Sequence, residues 1–249
     1  KKEIAPGIFD MTIKSKEIAR QAKPGQFLNI RCCSSLSVVL RRPISICDID
    51  IEKEEVRFIF QVKGEGTRLL AARNPGDKLD VLGPLGTPFQ RDTSFSRPVL
   101  VGGGIGVFPL LFLAKFCGSD IDVFLGFRTK EMVVLEQDFK EICPGTVIAT
   151  DDGSYGVGGY ATRLLEENIK QGKNDMVYAC GPEPMLKKIQ SICSSYSIPC
   201  QLSLEQRMGC GIGACLVCAC KIKTPEQWEY KHVCKDGPVF WGDEVLFDE

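Results

Sequence analysis

The sequence contains a single histidine, no long apolar run and almost no surplus of charge of either sign. His232 is typical of a surface residue or of one that supports a neighbouring site, so acid–base catalysis by an imidazole is not expected. The formal net charge is −1 and no long run of lysine or arginine occurs, which argues against a nucleic-acid or anionic-membrane partner. Because about 18 consecutive apolar residues and the apolar core of a secretion signal are both missing, we expect a soluble, cytoplasmic protein without a membrane span.

Cysteine is abundant instead, with 13 residues in a chain of 249. Because the cytosol keeps thiols reduced, a disulfide framework is not expected, and metal binding or redox chemistry is favoured. Seven of the cysteines are scattered among apolar neighbours and are predicted to be small buried hydrophobic residues. These seven are Cys32, Cys33, Cys47, Cys117, Cys143, Cys193 and Cys200.

The order of strand-like and helix-like segments divides the chain into three predicted parts. Residues 1–96 contain GQFLNI, SVVL, PISICDID, VRFIFQVK and DKLDVLGP, which are separated by turn residues and predict a small antiparallel β-barrel. Residues 97–197 alternate apolar strands with helices expected near 136–142 and 162–171, which is the pattern of a doubly wound parallel α/β sheet. Residues 198–249 are predicted to form a small cysteine-rich module.

The most specific motif lies in LEQRMGCGIGACLVCACK, residues 204–221. Cys210, Cys215 and Cys218 have the spacing C-x4-C-x2-C, and Cys234 follows in a later segment. This is the plant-type spacing for a [2Fe-2S] cluster held by four thiolates. The glycines between these cysteines permit the positive φ angles and the close backbone approach that a sulfur-binding loop requires.

Structural zinc is the alternative for these cysteines, because four thiolates also suit a tetrahedral Zn²⁺ ion. Zinc knuckles usually contain paired C-x2-C units, and the second pair is missing here, so the spacing favours iron–sulfur. Cys220 is predicted to be a buried thiol and not a ligand.

Two segments of the first part suggest a flavin site. In RRPISI, Arg42 could pair with a pyrophosphate and Ser45 could hydrogen-bond the edge of a flavin ring. In KGEGTRLL, Gly64, Gly66 and Thr67 offer backbone N–H groups and a hydroxyl where a helix begins, which predicts a second phosphate-binding corner. The alternative is that the arginine is simply a solvated side chain.

The second part carries a glycine-rich turn, VGGGIGVFP, after a strand and before a helix. Gly103 and Gly104 are therefore predicted to bring backbone amides against a dinucleotide pyrophosphate. Cys180, in YACGPEPM, is expected at the carboxyl edge of the same sheet, where ligands usually bind, although an ordinary core cysteine fits as well. Asp151 and Asp152 could contact the nucleotide or be solvated turn residues.

Together these segments resemble the ferredoxin-reductase superfamily and, more narrowly, the electron-transfer subunits of two-subunit, NAD-dependent dihydroorotate dehydrogenases. The resemblance covers nearly the whole chain. The motifs that carry it are RPIS at 42–45, GEGT at 64–67, GGGIG at 102–106, TDDGSYG at 150–156, CGPEPM at 180–185, and LEQRMGCGIGACLVC at 204–218 with CKDGPVF from 234. It implies an FAD domain over 1–96, an NAD domain over 97–197 and a [2Fe-2S] module over 198–249. It also implies FAD contacts from Arg42, Pro43, Ile44, Ser45, Ile59, Phe60, Gln61, Gly66 and Thr67.

The function implied by this resemblance is that of an oxidoreductase subunit in pyrimidine biosynthesis. Electrons would pass from an FMN-containing, dihydroorotate-oxidising catalytic subunit through the cluster and FAD to NAD⁺, and two copies of each subunit would form a heterotetramer. No catalytic acid or base is expected in this chain. Two alternatives stay open: an NAD(P)H-linked reductase subunit that serves another redox enzyme such as a hydrogenase, and a zinc-stabilised binding module.

Overall fold

The computed structural model describes residues 1–33 and 38–247. Six strands between residues 2 and 85 form an antiparallel sheet, which we call the N-terminal sheet, with short helices beside it. Its elements are β1 (Lys2–Ala5), β2 (Ile8–Lys14), α1 (Lys16–Gln21), β3 (Phe27–Arg31), β4 (Arg42–Asp50), β5 (Glu55–Gln61), α2 (Glu65–Ala71) and β6 (Asp80–Leu85). The strand order is β1-β2-β5-β4-β3-β6.

Apolar side chains from β3, β4 and β5 build the core of the N-terminal sheet. Leu28, Ile30, Ile46 and Phe58 have no exposed surface and pack in one cluster. Burial of each such side chain stabilises the fold by about 1.5–3 kcal/mol relative to leaving it exposed. This core holds β3 and β4 side by side, and β4 carries the predicted flavin motif RPIS.

The structure corrects one predicted strand and adds elements that the sequence patterns did not indicate. The prediction of a strand at SVVL is wrong for Val38, Val39 and Leu40, while Ser37 lies outside the described residues. β3 and β4 pair directly with each other, and residues 38–40 belong to no strand. β1, β2 and α1 were not predicted, since each is short and only partly buried.

The middle of the chain forms a second, mostly parallel sheet. Its elements are β7 (Pro98–Gly103), α3 (Val107–Cys117), β8 (Asp122–Phe127), α4 (Glu136–Ile142), β9 (Val147–Thr150), β10 (Val157–Gly158), α5 (Ala161–Lys170), β11 (Met176–Cys180), α6 (Glu183–Ser195) and β12 (Cys200–Ser203). The helices cover both faces: Leu100 of β7 packs on the side of α3 and α4, whereas Val99 and Val101 pack on the side of α5 and α6. The helices predicted near 136–142 and 162–171 are confirmed as α4 and α5.

The strand order of the parallel sheet creates a crevice at one edge. The chain runs outward through β7, β8, β9 and β10, and then returns to place β11 on the other side of β7. The carboxyl ends of β7 and β11 therefore lie at the point where the strand order reverses, with Cys180 opposite Gly102. Open α/β sheets usually bind ligands at such a point.

The remaining strands are β13 (Ala219–Lys223), β14 (Trp228–His232), β15 (Val239–Trp241) and β16 (Val245–Leu246). A small antiparallel sheet has the order β14-β13-β16, whereas β15 pairs with β12 at the edge of the parallel sheet. The predicted fold class is confirmed: an antiparallel sheet, a parallel sheet with helices and a small C-terminal part. The domain limits 1–96, 97–197 and 198–249 stay a prediction. Among the helices of residues 1–33 and 38–247, none combines the length and apolar character needed to cross a membrane.

Ion pairs join the N-terminal sheet to the parallel sheet. Arg57 on β5 contacts Asp10 on β2 at 2.8 Å and Asp138 on α4 at 2.6 Å. Lys115 on α3 pairs with Asp48 on β4. Because the Arg57 side chain is largely buried, its two carboxylate partners compensate the charge that it would otherwise leave unpaired. The flavin motif on β4 and the crevice of the parallel sheet are thus held in a defined relation.

Gln201 on β12 fixes the connection between the two sheets. Its side chain accepts the Gln90 N–H at 2.8 Å and donates to the Gln90 carbonyl at 2.9 Å, and it is only 1% exposed. In Gln201→Leu both of these part-buried hydrogen bonds to Gln90 are lost, so we expect the free energy of unfolding to fall by roughly 2 kcal/mol. Gln137→Leu, at an exposed position of α4, is the control and should change it by less than about 0.5 kcal/mol. Chemical denaturation measures both, and equal stability of the two variants would contradict this expectation.

Candidate functional site

The loop between β12 and β13 directs backbone N–H groups at cysteine sulfurs. The Cys210 sulfur accepts N–H groups from Ile212 at 3.4 Å, Ala214 at 3.2 Å and Cys215 at 3.4 Å. The Gly213 N–H reaches the Cys234 sulfur at 3.1 Å, which brings the later segment against the loop. Such amide donors stabilise thiolates and bound sulfur, as an iron–sulfur site requires.

The four predicted ligands occur as two neighbouring pairs of sulfur atoms. The Cys215 side chain helps to lower the pKa of Cys210 and the Cys218 side chain helps to raise the pKa of Cys234, so the members of each pair are close in space. Within residues 1–33 and 38–247, no three His, Cys, Asp or Glu side chains converge on one ion position. Two pairs of thiols suit a two-iron cluster, in which each iron takes two cysteine ligands.

The surroundings of the four thiols differ between the two pairs. The Ile212 amide, with those of Cys215 and Ala214, lowers the pKa of Cys210 to about 6. Burial raises the pKa of Cys234 to about 12. Cys218 and Cys234 are buried, whereas Cys210 and Cys215 are half-buried. One side of the candidate cluster site therefore faces the interior and the other lies near the surface.

Cys220 and His232 lie near the loop in other roles. The Cys220 thiol donates to the Lys231 carbonyl at 3.6 Å, and burial raises its pKa to about 11. It is half-buried, although the sequence predicts a buried thiol. His232 contacts the Asp236 carboxylate through its backbone N–H at 2.7 Å and through Nδ1 at 3.4 Å. Both contacts span the turn that contains Cys234. His232 therefore stabilises the backbone around this predicted ligand.

The two predicted flavin motifs meet in space. A Cβ atom added to Gly66 would lie 2.6 Å from Nε of Arg42. The guanidinium of Arg42, on β4, therefore packs directly against the first turn of α2. The Thr67 hydroxyl accepts the N–H groups of Lys63 at 3.0 Å and Gly64 at 3.2 Å, which closes the preceding loop. An arginine beside a glycine-lined helix start suits a phosphate group.

The other predicted flavin contacts lie on β4 and β5. Pro43, Ile44 and Ser45 are half-buried on β4. On β5, Ile59 and Phe60 are buried in the core, whereas Gln61 is half-buried. The flavin contacts of these residues stay a prediction.

The crevice of the parallel sheet is formed by closely packed backbone. A Cβ atom added to Gly106 would lie 2.5 Å from the carbonyl carbon of Cys180 and 2.6 Å from the nitrogen of Gly181. A Cβ atom on Gly103 would lie 2.5 Å from the sulfur of Met185. Gly104 has φ +54° and open space beside it, so a ligand can approach the backbone there. The predicted pair Gly103 and Gly104 thus lies at the expected edge.

Cys180 is half-buried at the end of β11. Burial raises the pKa of its thiol to about 12, although a hydrogen bond with Ser203 acts in the opposite direction. At neutral pH it is therefore a protonated thiol at the mouth of the crevice.

Asp152 is held by its own turn. Its carboxylate accepts the Ser154 N–H at 3.0 Å, and the Ser154 hydroxyl in turn accepts the Lys130 N–H at 2.8 Å. The Ser154 hydrogen bonds keep the pKa of Asp152 below its usual value. These contacts favour the turn-forming alternative for Asp152, whereas Asp151 is exposed beside it.

Sequence comparison assigns the chain to a family. The profile described as the iron–sulfur cluster binding domain of dihydroorotate dehydrogenase B matches residues 205–246. The electron transfer subunit of dihydroorotate dehydrogenase B (NAD(+)) from Geobacillus thermodenitrificans (strain NG80-2) is 44% identical over 98% of this chain and 94% of its own length. The chain belongs to this family of electron transfer subunits. The subunit of the same name from Caldanaerobacter subterraneus subsp. tengcongensis is 42% identical over 99% of this chain and 95% of that subunit.

Solved structures extend the comparison beyond these electron transfer subunits. The structure of an NADH-dependent reduced ferredoxin-NADP oxidoreductase matches 98% of this chain and 87% of its own chain, with a TM-score of 0.86 and 33% identity. The FAD/NAD-binding domain of a nitric oxide dioxygenase from Vibrio cholerae matches 79% of this chain and 90% of its own, with a TM-score of 0.66 and 17% identity. The second likeness is one of fold alone.

One contact at the site escapes the sequence patterns. Asn29, in the otherwise apolar run of β3, donates its side-chain N–H to the Cys210 carbonyl at 3.1 Å. Phe27, two residues earlier, belongs to the same buried cluster as Cys218 and Cys234. The available signal was a buried asparagine in the segment GQFLNI, but nothing local in the sequence points from it to a cysteine 181 positions away.

Proposed function

We propose that this chain is an electron carrier in pyrimidine biosynthesis. A catalytic subunit oxidises dihydroorotate, and this chain passes the electrons through a [2Fe-2S] cluster and FAD to NAD⁺. One observation carries the proposal: a loop with three cysteines, joined by Cys234 from a later segment, lies against the strand next to the predicted flavin strand, in a chain whose parallel sheet also forms a crevice. The family and the names of its members support the same function.

The overall reaction balances between the two ends of this path. Dihydroorotate loses two electrons and two protons, and NAD⁺ takes up two electrons and one proton as a hydride, so one proton is released. When bound, FAD exchanges single electrons with an iron–sulfur cluster and a hydride with nicotinamide. The residues of this chain bind, orient and shield; no side chain has to transfer a proton.

Each group has candidate residues. The proposed FAD contacts are Arg42, Pro43, Ile44, Ser45, Ile59, Phe60, Gln61, Gly66 and Thr67. The proposed cluster ligands are Cys210, Cys215, Cys218 and Cys234. Gly103 and Gly104 would approach the pyrophosphate of NAD, and Cys180 would lie beside its nicotinamide. The amide donors at the sulfurs and the Arg42–Gly66 contact support these assignments.

The proposed partner is an FMN-containing catalytic subunit, in a heterotetramer with two copies of each chain. Its docking surface would be the outer side of the cluster loop, where Ile212, Leu216 and Val217 are all more than half exposed. Leu216 alone is 77% exposed. Exposed apolar groups next to the candidate cluster suit a partner that must approach it closely.

The test starts from protein purified without oxygen. Iron, sulfide and FAD should be present, and mixing with a dihydroorotate-oxidising subunit should produce NADH when dihydroorotate and NAD⁺ are added. The iron, sulfide and FAD contents of the protein are measured first, and NADH formation in the mixture is then followed by its absorbance. Zinc in place of iron, together with absence of flavin, would overturn the proposal in favour of a zinc-stabilised module.

A second candidate is a reductase subunit that serves another redox enzyme, such as a hydrogenase. It is favoured by the 33% identity to a ferredoxin-NADP oxidoreductase chain over 98% of this chain. The same mixture separates the two. Protein with full iron, sulfide and FAD that reduces acceptors with NADH, yet forms no NADH with dihydroorotate and its dehydrogenase subunit, would support the second candidate.

A further inference from the structure

β3 lies between the proposed flavin strand and the candidate cluster loop. On one side it pairs with β4, with Phe27 opposite Ser45 and Asn29 opposite Pro43. Its side chains alternate between two faces. Leu28 and Ile30 enter the core of the N-terminal sheet. Phe27 and Asn29 therefore share the other face. Asn29 hydrogen-bonds the cysteine loop, and Phe27 lies in the same buried cluster as Cys218 and Cys234.

We propose that Asn29, assisted by Phe27, is a positioning residue for electron transfer and holds the cluster loop at a fixed distance from the flavin-contacting strand. This inference rests on the proposed function. The two residues act through the loop and touch no reacting atom. Their effect on rate is indirect, because single-electron transfer between two bound groups slows steeply as their separation grows.

The contact of Asn29 with the loop is tight. Its side chain is 1% exposed and donates to the carbonyl of Cys210, a proposed ligand. A Cβ atom added to Gly211 would overlap the Asn29 amide nitrogen and lie 3.0 Å from its Cγ. Gly211 also has φ +75°, which favours glycine. The loop therefore comes as close to β3 as a residue without a side chain allows.

Asn29 lowers the stability of the fold, because one of its polar atoms is buried without a hydrogen-bond partner in the part of the chain that the structure describes. Its Oδ1 is buried and has no hydrogen-bond partner among the described residues. A buried acceptor left unpaired costs about 1–3 kcal/mol, whereas an apolar residue at this position of the strand would avoid that cost. A buried polar group of this kind calls for a role outside core packing.

The fourth cysteine is anchored to the same edge. Just after β6, the neighbour of β3, the Thr87 N–H donates to the Gly237 carbonyl at 2.6 Å and its hydroxyl donates to the Asp236 carbonyl at 3.2 Å. Both carbonyls lie within three residues of Cys234. The two ends of the ligand set, Cys210 and Cys234, are thus tied to neighbouring strands of the N-terminal sheet, which limits movement of the loop relative to β4.

The test replaces the amide by a side chain of similar shape, in Asn29→Leu of the full chain with its cofactors. NADH should reduce the flavin at the wild-type rate, because the nucleotide crevice is unchanged. The following reduction of the cluster, measured by rapid mixing and freeze-quench EPR, should slow about tenfold or more, the usual size of effects from groups that orient metal ligands. The EPR line shape of the reduced cluster should also change.

Asn174→Leu is the matched control. Asn174 is also a buried asparagine with an unpaired Oδ1, and it donates to Asp122 in the parallel sheet. Its replacement should leave the rate of cluster reduction and the EPR spectrum at wild-type values. Phe27→Leu tests the same contact from the second residue and decides the matter if Asn29→Leu does not fold; it should slow cluster reduction in the same direction.

The possible failures are distinct. Wild-type cluster reduction and EPR spectra in both Asn29→Leu and Phe27→Leu would overturn this inference and leave the proposed function standing. Equal slowing in Asn174→Leu would overturn it too, because the effect would then follow from losing any buried asparagine. Wild-type protein without iron and sulfide would overturn the proposed function itself.

Discussion

Replacing Cys234 by serine should remove the cluster and lower dihydroorotate-dependent NADH formation by more than about 100-fold, since even groups that only orient metal ligands change activity by 10- to 100-fold. The physical reason is the position of its sulfur. Cys234 is 2% exposed, its sulfur accepts the Gly213 N–H, and it neighbours Cys218. No other side chain in that segment offers a thiolate to replace it.

Iron and sulfide analysis, visible absorption and EPR measure the loss in Cys234→Ser. FAD content and NADH-dependent reduction of ferricyanide should persist, because neither the proposed flavin strand nor the crevice contains this residue. Retained iron with full NADH formation would show that Cys234 is not a ligand.

Cys220→Ser, on the nearby strand β13, is the control. The Cys220 thiol already donates to the Lys231 carbonyl, and a serine hydroxyl can donate to the same acceptor. Iron content and NADH formation should stay within about twofold of wild type, as expected for a substitution away from the ligand set. Loss of the cluster in Cys220→Ser would move the ligand assignment to that residue.

Gly106→Ala should raise the KM for NADH by about 10- to 100-fold, because misplacement by about 1 Å at a binding turn can cost that much. The new Cβ atom would lie 2.5 Å from the carbonyl carbon of Cys180 and 2.6 Å from the nitrogen of Gly181. Both are backbone atoms, so the glycine turn or the end of β11 must shift. The two strand ends that form the crevice would then separate.

Steady-state ferricyanide reduction with varied NADH measures this effect, and metal analysis should find normal iron in Gly106→Ala. Gly145→Ala is the control, because Gly145 has open space around its Cα and lies in the turn before β9. It should have the wild-type KM. An unchanged KM in Gly106→Ala would mean that the turn does not form the nucleotide site.

Much of the fold was predictable because its signals are local. The turn VGGGIGVFP was expected after a strand and before a helix, and β7 and α3 flank it. α4 begins and ends where the sequence pattern placed it. Val38, Val39 and Leu40 of the segment SVVL form no strand, because apolar composition alone does not make a strand without a partner, and β3 pairs with β4 directly.

The sequence predicted which residue types would be the ligands of the candidate site, but it did not predict which groups would hydrogen-bond to them. The cysteine spacing indicated the four thiols, yet the amide donors from Ile212 and Gly213 follow from how the loop folds over the sulfurs. Thr67 stays a proposed FAD contact, and the motif did not indicate that its hydroxyl also accepts two N–H groups of the preceding loop. A hydroxyl in a sequence motif does not show which hydrogen-bond partners it will have in the folded chain.

By itself the sequence determined the glycine turn, the alternation of strands and helices and the spacing of the cysteines, because each is a pattern within a short stretch of chain. Only the tertiary structure decided that β12 and β15 join the parallel sheet and that β3 lies between β4 and the cysteine loop. Asn29 and Cys210 are 181 residues apart, and a contact at that separation depends on how the whole chain packs. No local pattern of residues encodes such a pairing.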